Sequence, residues 1–119
     1  MSYQHFSEMP VWQKAHELGL LVYRVTAGFP REEQYGLTSQ VRRAAVSVSS
    51  NIAEGFGRQG RRDKARFYYN ARGSLYEVES QFVLGRNLAF LGEDDFLETT
   101  ALVQEIGHEL NKLIKTLVS

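Results

Sequence analysis

Apolar residues recur along this chain at helical spacing, and no segment alternates apolar and polar positions as a strand would. Val11, Ala15, Leu18, Val22 and Val25 repeat in steps of four and three, which draws one apolar stripe along a helix. Pro10 suits the first turn, where its missing N–H costs nothing. The stripe predicts a helix from Pro10 to about Ala27, broken by Gly28-Phe29-Pro30, with Phe29 plugging the end of the core. A second stripe, Leu37, Val41, Ala44, Val48 and Ile52 with Ala45 beside it, predicts a helix starting near Gly36 or Thr38. It should end at Gly55 or Gly57, since glycine suits the left-handed residue past a helix end. Tyr68, Ala71, Leu75, Val78 and Phe82 predict a third helix from about Arg61 to Leu91, roughly 45 Å at 1.5 Å per residue. Gly92 should stop it. Asp95 with Glu98 resembles a capping box for a fourth helix, along which Val103, Ile106, Leu110, Leu113 and Leu117 carry the apolar face.

Short connections between long amphipathic helices imply antiparallel neighbours. The expected fold is all-α, an up-down-up-down four-helix bundle. The third helix outruns the first two, so one end of it should project. Val83, Leu84, Leu88, Phe90 and Leu91 put apolar surface on several sides of that end, which argues for an oligomer.

Size and composition narrow this further. The 119 residues form one domain, residues 1–119. A chain of this size buries about 65% of its unfolded surface, enough for one core. An apolar content of 43% and an aromatic content of 12% exclude disorder. Cysteine is absent, which removes disulfides, thiolate metal sites and cysteine nucleophiles. Met1 to Phe6 shows no charged leader before an apolar run, and no stretch reaches about 18 uninterrupted apolar residues. The expectation is no membrane contact and a cytoplasmic location.

Charge is where the pattern departs from a plain bundle. The chain is formally neutral, yet Arg42 to Arg72 holds eight bases against two acids, Glu54 and Asp63. From Gly73 onward there are eight acids and three bases. A basic zone implies an anionic partner, nucleic acid first among them. The start of the third helix also breaks helix electrostatics. Arg61, Arg62 and Lys64 crowd its positive pole, each costing about 0.3–1 kcal/mol at low salt if unpaired. Departures of this kind concentrate at functional sites, and a helix N-terminus already offers N–H donors to an anion. The candidate nucleic-acid contacts are therefore Arg42, Arg43, Arg58, Arg61, Arg62, Lys64 and Arg66, at the junction of the second and third helices. Arg66-Phe67-Tyr68-Tyr69-Asn70 interleaves a base with aromatics, and Tyr69 alone stays open as a stacking platform, the others falling to the core.

Opposite the apolar stripe of the second helix lies a polar one: Arg43, Ser47, Ser50 and Glu54, with Asn51 beside it. Its small side chains suit a covered face rather than a wet one. Ser47, Ser50, Asn51, Glu54 and Arg72 are thus candidates for an oligomer contact or a buried polar contact, with Arg66 or Arg72 as the cation Glu54 would need under cover.

Catalysis finds little support. Glu105 and His108 have the spacing of a di-iron bundle ligand pair, but no second pair exists. The glycines from Gly55 to Gly60 follow a helix and lack the Lys-Ser/Thr of a phosphate-binding loop. No metal, no cofactor and no catalytic residue is expected.

Three segments carry a family resemblance: Val11 to Ala15 (VWQKA), Tyr35 to Val48 (YGLTSQVRRAAVSV), and Ser50 to Gly55 (SNIAEG) followed by Arg58. Arg66-Phe67 and Arg72-Gly73-Ser74 continue it. The chain resembles the bacterial 23S ribosomal RNA intervening-sequence proteins over nearly its whole length up to Leu91. It is also similar to the accessory protein of diversity-generating retroelements, a basic pentameric bundle that associates with a reverse transcriptase and nucleic acid. The resemblance implies a cytosolic four-helix bundle assembled as a ring-like homopentamer. This chain is neutral where the retroelement relative is basic, so any nucleic-acid binding must use the local basic face. The expected function is a non-enzymatic oligomer that binds nucleic acid, RNA foremost. The alternative is a protein–protein scaffold whose basic and acidic faces pair between subunits.

Overall fold

Four long helices account for most of the chain in the computed structural model, which describes residues 2–118. α1 spans Pro10–Thr26, α2 Leu37–Phe56, α3 Arg61–Asn87 and α4 Glu93–Val118. Two short 3-10 turns, Phe6–Glu8 and Arg31–Glu33, precede α1 and α2. No strand occurs among the described residues. Each helix packs against two others: α1 against α2 and α4, α3 against α2 and α4, while the diagonal pairs stay apart. The result is a rod of 43 × 24 × 22 Å.

The stripes read from the sequence meet along its axis. Every position expected in the cores of α1, α2 and α3 is buried, with Ala15, Leu18, Val22, Val41, Ala45, Val48 and Ile52 fully inaccessible. In α4 the expectation needs correction. Val103, Ile106 and Leu110 are buried, but Leu113 and Leu117 are only half-buried, and Thr99 and Ile114 take core positions instead. A 3-4 repeat drifts about 20° per heptad against the 3.6-residue helix, so the stripe slides off the core over a helix this long.

The helix ends differ from expectation too. α2 runs through Gly55 to Phe56, and Gly57 follows in right-handed geometry (φ −77°) rather than left-handed. Gly55 is needed for a different reason. A Cβ there would stand 2.7 Å from Tyr68 Cε1 and 3.2 Å from Phe67 Cβ, so its bare backbone lets α2 and α3 close on one another. At its start α2 is capped from outside, by the Glu33 carboxylate accepting from the Leu37 N–H at 3.0 Å.

α3 stops at Asn87, short of Leu91. Ala89 takes the left-handed conformation (φ 63°). The Phe90 N–H bonds to the Gly85 carbonyl and the Ala89 N–H to the Arg86 carbonyl, the two bonds of a Schellman motif. The chain then folds back so that Phe90 meets Phe29, which is buried and also touches Phe82. Phe29 is the plug expected of it; of the apolar residues expected to project there, Val83, Leu84 and Leu88 stay exposed, as does Leu97 at the start of α4. α4 begins at Glu93, so Asp95 and Glu98 lie inside it and form no capping box. They face Arg24 of α1, at 4.0 and 3.0 Å.

Candidate nucleic-acid interface

The corner where α2 hands over to α3 explains why cations crowd a positive helix pole. The Lys64 ammonium donates to the Gly55 and Phe56 carbonyls at 2.8 and 2.9 Å, the last turn of α2. Arg61 donates to the Thr116 carbonyl, in the last turn of α4, at 2.6 Å. The start of α3 therefore lies beside the negative poles of two other helices, and Arg61 and Lys64 serve those. Partial burial pushes the Lys64 ammonium below its usual range, since desolvation disfavours charge.

Arg58 lies between Glu54 (3.4 Å) and Asp63 (3.8 Å), and Arg66 binds the same Asp63 at 2.9 Å. Both guanidinium groups stack on Phe67, 4.7 and 4.5 Å from the ring centre. Arg62 is exposed and makes no ion pair with the described residues. Among the described residues, five cations thus meet two carboxylates at this corner. Lys112 and Lys115, near the end of α4, come towards the same end of the rod, as the Arg61–Thr116 bond requires. An open groove of about 840 Å³ separates the start of α3 from the end of α4, with Arg61, Arg62, Arg66, Tyr69 and Asn70 along it and Ala65, Leu117 and Val118 supplying apolar surface.

Arg42 and Arg43 are not part of this corner. They sit near the start of α2, about 20 Å away along a helix rising 1.5 Å per residue. Arg42 donates to Thr26 Oγ1 (2.8 Å) and the Tyr23 carbonyl (3.4 Å) and stacks on the Tyr23 ring at 4.5 Å, closing the end of α1. Arg43 is exposed beside Gln40, Ser47, Glu77 and Gln81. Adjacency in sequence joined seven bases into one face. The length of α2 divides them into five and two.

The polar stripe of α2 is partly covered, and α3 of the same chain covers it. Ser47 Oγ and Ser74 Oγ are 2.8 Å apart, and Asn51 donates to the Ser47 carbonyl and hydroxyl at 2.8 and 3.0 Å. Ser50 and Glu54 stay exposed. The cation beside Glu54 is Arg58, rather than Arg66 or Arg72. Arg72 instead donates to Asn111 Oδ1 of α4 at 2.9 Å and stacks on Tyr69 at 5.0 Å.

Glu105 and Glu109 flank Lys14 of α1, at 3.5 and 3.4 Å. Burial pulls the Lys14 ammonium down, but the two carboxylates outweigh it and leave it raised. His108 is exposed, and no cluster of three or more His, Asp or Glu side chains able to hold a metal forms among the described residues. No described helix is long and apolar enough to cross a membrane.

A four-helix, all-α rod with a cation-rich end is the class of protein these features define. The chain belongs to the family described as 23S rRNA-intervening sequence protein, whose model matches residues 7–112 and so continues well into α4. Among solved structures it is similar to the 1.70 Å crystal structure of a protein of unknown function from the S23 ribosomal protein family of Bacteroides thetaiotaomicron VPI-5482. The two are 20% identical over 88% of this chain and 98% of that one, with a TM-score of 0.80. At that identity the likeness establishes the fold alone. No curated protein matches the chain. Neither the family nor the neighbour is described as an enzyme.

Proposed function

We propose that this chain is a non-enzymatic RNA-binding bundle that works as a homo-oligomer. The observation that carries the RNA reading is the charge imbalance at the α2–α3 corner, where five cations face two carboxylates and Arg62, beside an open groove, has no partner among the described residues. Arg62 makes the primary phosphate contact, Arg61, Arg66 and Arg58 add to the positive field, and Lys64 acts chiefly as a cap on α2. Lys115 adds positive charge at the same end of the rod, while Lys112 lies beside Glu109 against the start of α1. Arg42 is engaged on α1, and Arg43 is an outlying contact at the far end. Cations on phosphates give weak sequence preference and steep salt dependence. A family described by ribosomal RNA favours RNA over other polyanions.

The helices follow an up-down-up-down path, supported by the pairing of α3's start with the ends of α2 and α4, and of α2's start with the end of α1. Self-association is supported by an exposed row on α3, Gly73, Tyr76, Ser80 and Val83, spaced three, four and three. Apart from α3's own adjoining backbone, nothing among the described residues comes within 4 Å of where a Gly73 Cβ would be. A glycine inside a helix costs about 1 kcal/mol against alanine, and the close approach of a helix from a second copy gives it a purpose. Five copies, the number the family resemblance implies, is the stoichiometry to test.

The second reading is an assembly in which the acidic start of α4, Glu93, Asp94, Asp95 and Glu98, meets the basic corner of the next copy. It is favoured by the placing of the two clusters at opposite ends of α4. Purification from cells at low salt, followed by nuclease treatment and light scattering, separates the two. RNA should co-purify with an oligomer, and nuclease should strip the RNA without changing the protein's mass. An RNA-free oligomer that dissociates as salt rises would leave only the assembly reading, and a monomer at micromolar concentration would remove self-association.

A further inference from the structure

We propose that Tyr69 and Asn70 form a subsite for unpaired bases of single-stranded RNA, on the groove between the start of α3 and the end of α4. The proposal rests on the RNA reading above and adds which strandedness the protein selects and which residues select it. Tyr69 is 42% exposed. Its ring is braced by the Arg72 guanidinium, 5.0 Å from the ring centre, and Arg72 is itself held by Asn111. An aromatic surface fixed in this way offers a π-face to a base at low entropic cost.

The surroundings match a nucleotide group by group. Arg62, exposed and without an ion pair among the described residues, supplies a cation for phosphate, Leu117 and Val118 supply apolar surface for a base or sugar, and the Asn70 amide can pair with a base edge. Tyr69 and Asn70 also border a second, polar groove with Ser47, Asn51 and Ser74, so they form a ridge between the two. Beyond it stands Glu77, whose carboxylate repels phosphate and limits the track on that side. From Arg62 to Asn70 is about 12 Å along α3, room for about three nucleotides at roughly 3.4 Å each when stacked. A duplex presents phosphates but no free base faces, so it engages Arg62 and leaves Tyr69 unused. An acidic peptide likewise satisfies the arginines without needing the ring.

The test compares Tyr69→Ala, Tyr69→Trp and Arg62→Glu with the parent protein by fluorescence anisotropy. The probes are a labelled uridine-rich single-stranded RNA, an RNA duplex and poly-glutamate. Tyr69→Ala should weaken single-strand binding about tenfold or more, leave duplex binding unchanged and keep the oligomer's mass. Tyr69→Trp should bind the single strand at least as tightly as the parent. Arg62→Glu should weaken both RNA probes. If Tyr69→Ala binds the single strand like the parent while Arg62→Glu fails, the subsite is wrong and the basic corner stands. Equal losses on single strand and duplex, parent binding to poly-glutamate as tight as to the single strand, or a Tyr69→Ala protein that falls to monomers would each overturn the subsite. Absence of all RNA binding by the parent removes the subsite together with the reading beneath it.

Discussion

Replacing Gly55 with alanine isolates the close approach of α2 and α3. Two effects oppose each other. Alanine is about 1 kcal/mol better than glycine inside a helix. Against that, the new methyl would lie 2.7 Å from Tyr68 Cε1, 3.0 Å from Cδ1 and 3.2 Å from Phe67 Cβ. Tyr68 is 2% exposed, so its ring has nowhere to turn, and the helices must part. Overpacking of this kind costs about 1–3 kcal/mol, and a buried ring on one side and a Cβ on the other place this case at the upper end. Gly55→Ala should therefore lose about 1–2 kcal/mol net, some 4–8 °C in Tm for a domain of this size. The control is Gly19→Ala in α1, where nothing lies within 4 Å of the new methyl and the helix gain of about 1 kcal/mol should appear alone. Urea unfolding followed by circular dichroism measures both, at one fixed protein concentration because self-association would shift the midpoint. A Gly55→Ala protein as stable as Gly19→Ala would refute the claim that α2 and α3 meet through that glycine.

Two further substitutions test the fold. Ala89→Gly should stabilise the protein by about 1 kcal/mol in the same urea assay, because Ala89 is held at φ 63°, where glycine carries no Cβ strain. Tyr68→Phe should flatten the loss of stability above about pH 10: burial raises the Tyr68 phenol, so its contribution is complete below the unfolded value of 10.0 and is lost as pH climbs through the folded one. Lys64, lowered by burial, acts in the opposite sense near the same pH, so the informative quantity is the difference between variant and parent across an alkaline urea series.

The helices and most of the core were legible because each stripe repeats over four or more turns, and such periodicity overrides local detail. Helix ends were not, because tertiary contacts set them. Phe90 turns back onto Phe29 and so ends α3 before Gly92, with alanine rather than glycine in the left-handed position. Glu33 reaches across a loop to cap α2, a contact no capping motif announces. At the candidate site the sequence marked the crowding of Arg61, Arg62 and Lys64 as an anomaly but held no sign of its cause, since the carbonyls that Lys64 and Arg61 serve come from α2 and from the end of α4, the latter more than fifty residues on from Arg61. The same distance hid that the end of α4, with Lys112 and Lys115, lies at this end of the rod. Arg61 and Lys64 are consequently poor probes of RNA contact, because altering either also uncaps a helix. Arg62 caps no helix among the described residues.

The salt dependence of single-stranded RNA binding, measured side by side for the parent protein and Arg62→Glu, tests the central claim most directly. If exposed cations at the α2–α3 corner hold phosphates, log K should fall linearly with log salt, by about 0.7 for each phosphate neutralised. Arg62→Glu should lower the slope by at least that amount per bound chain, with its circular dichroism unchanged. Equal affinity and equal slope for the two proteins would contradict the account.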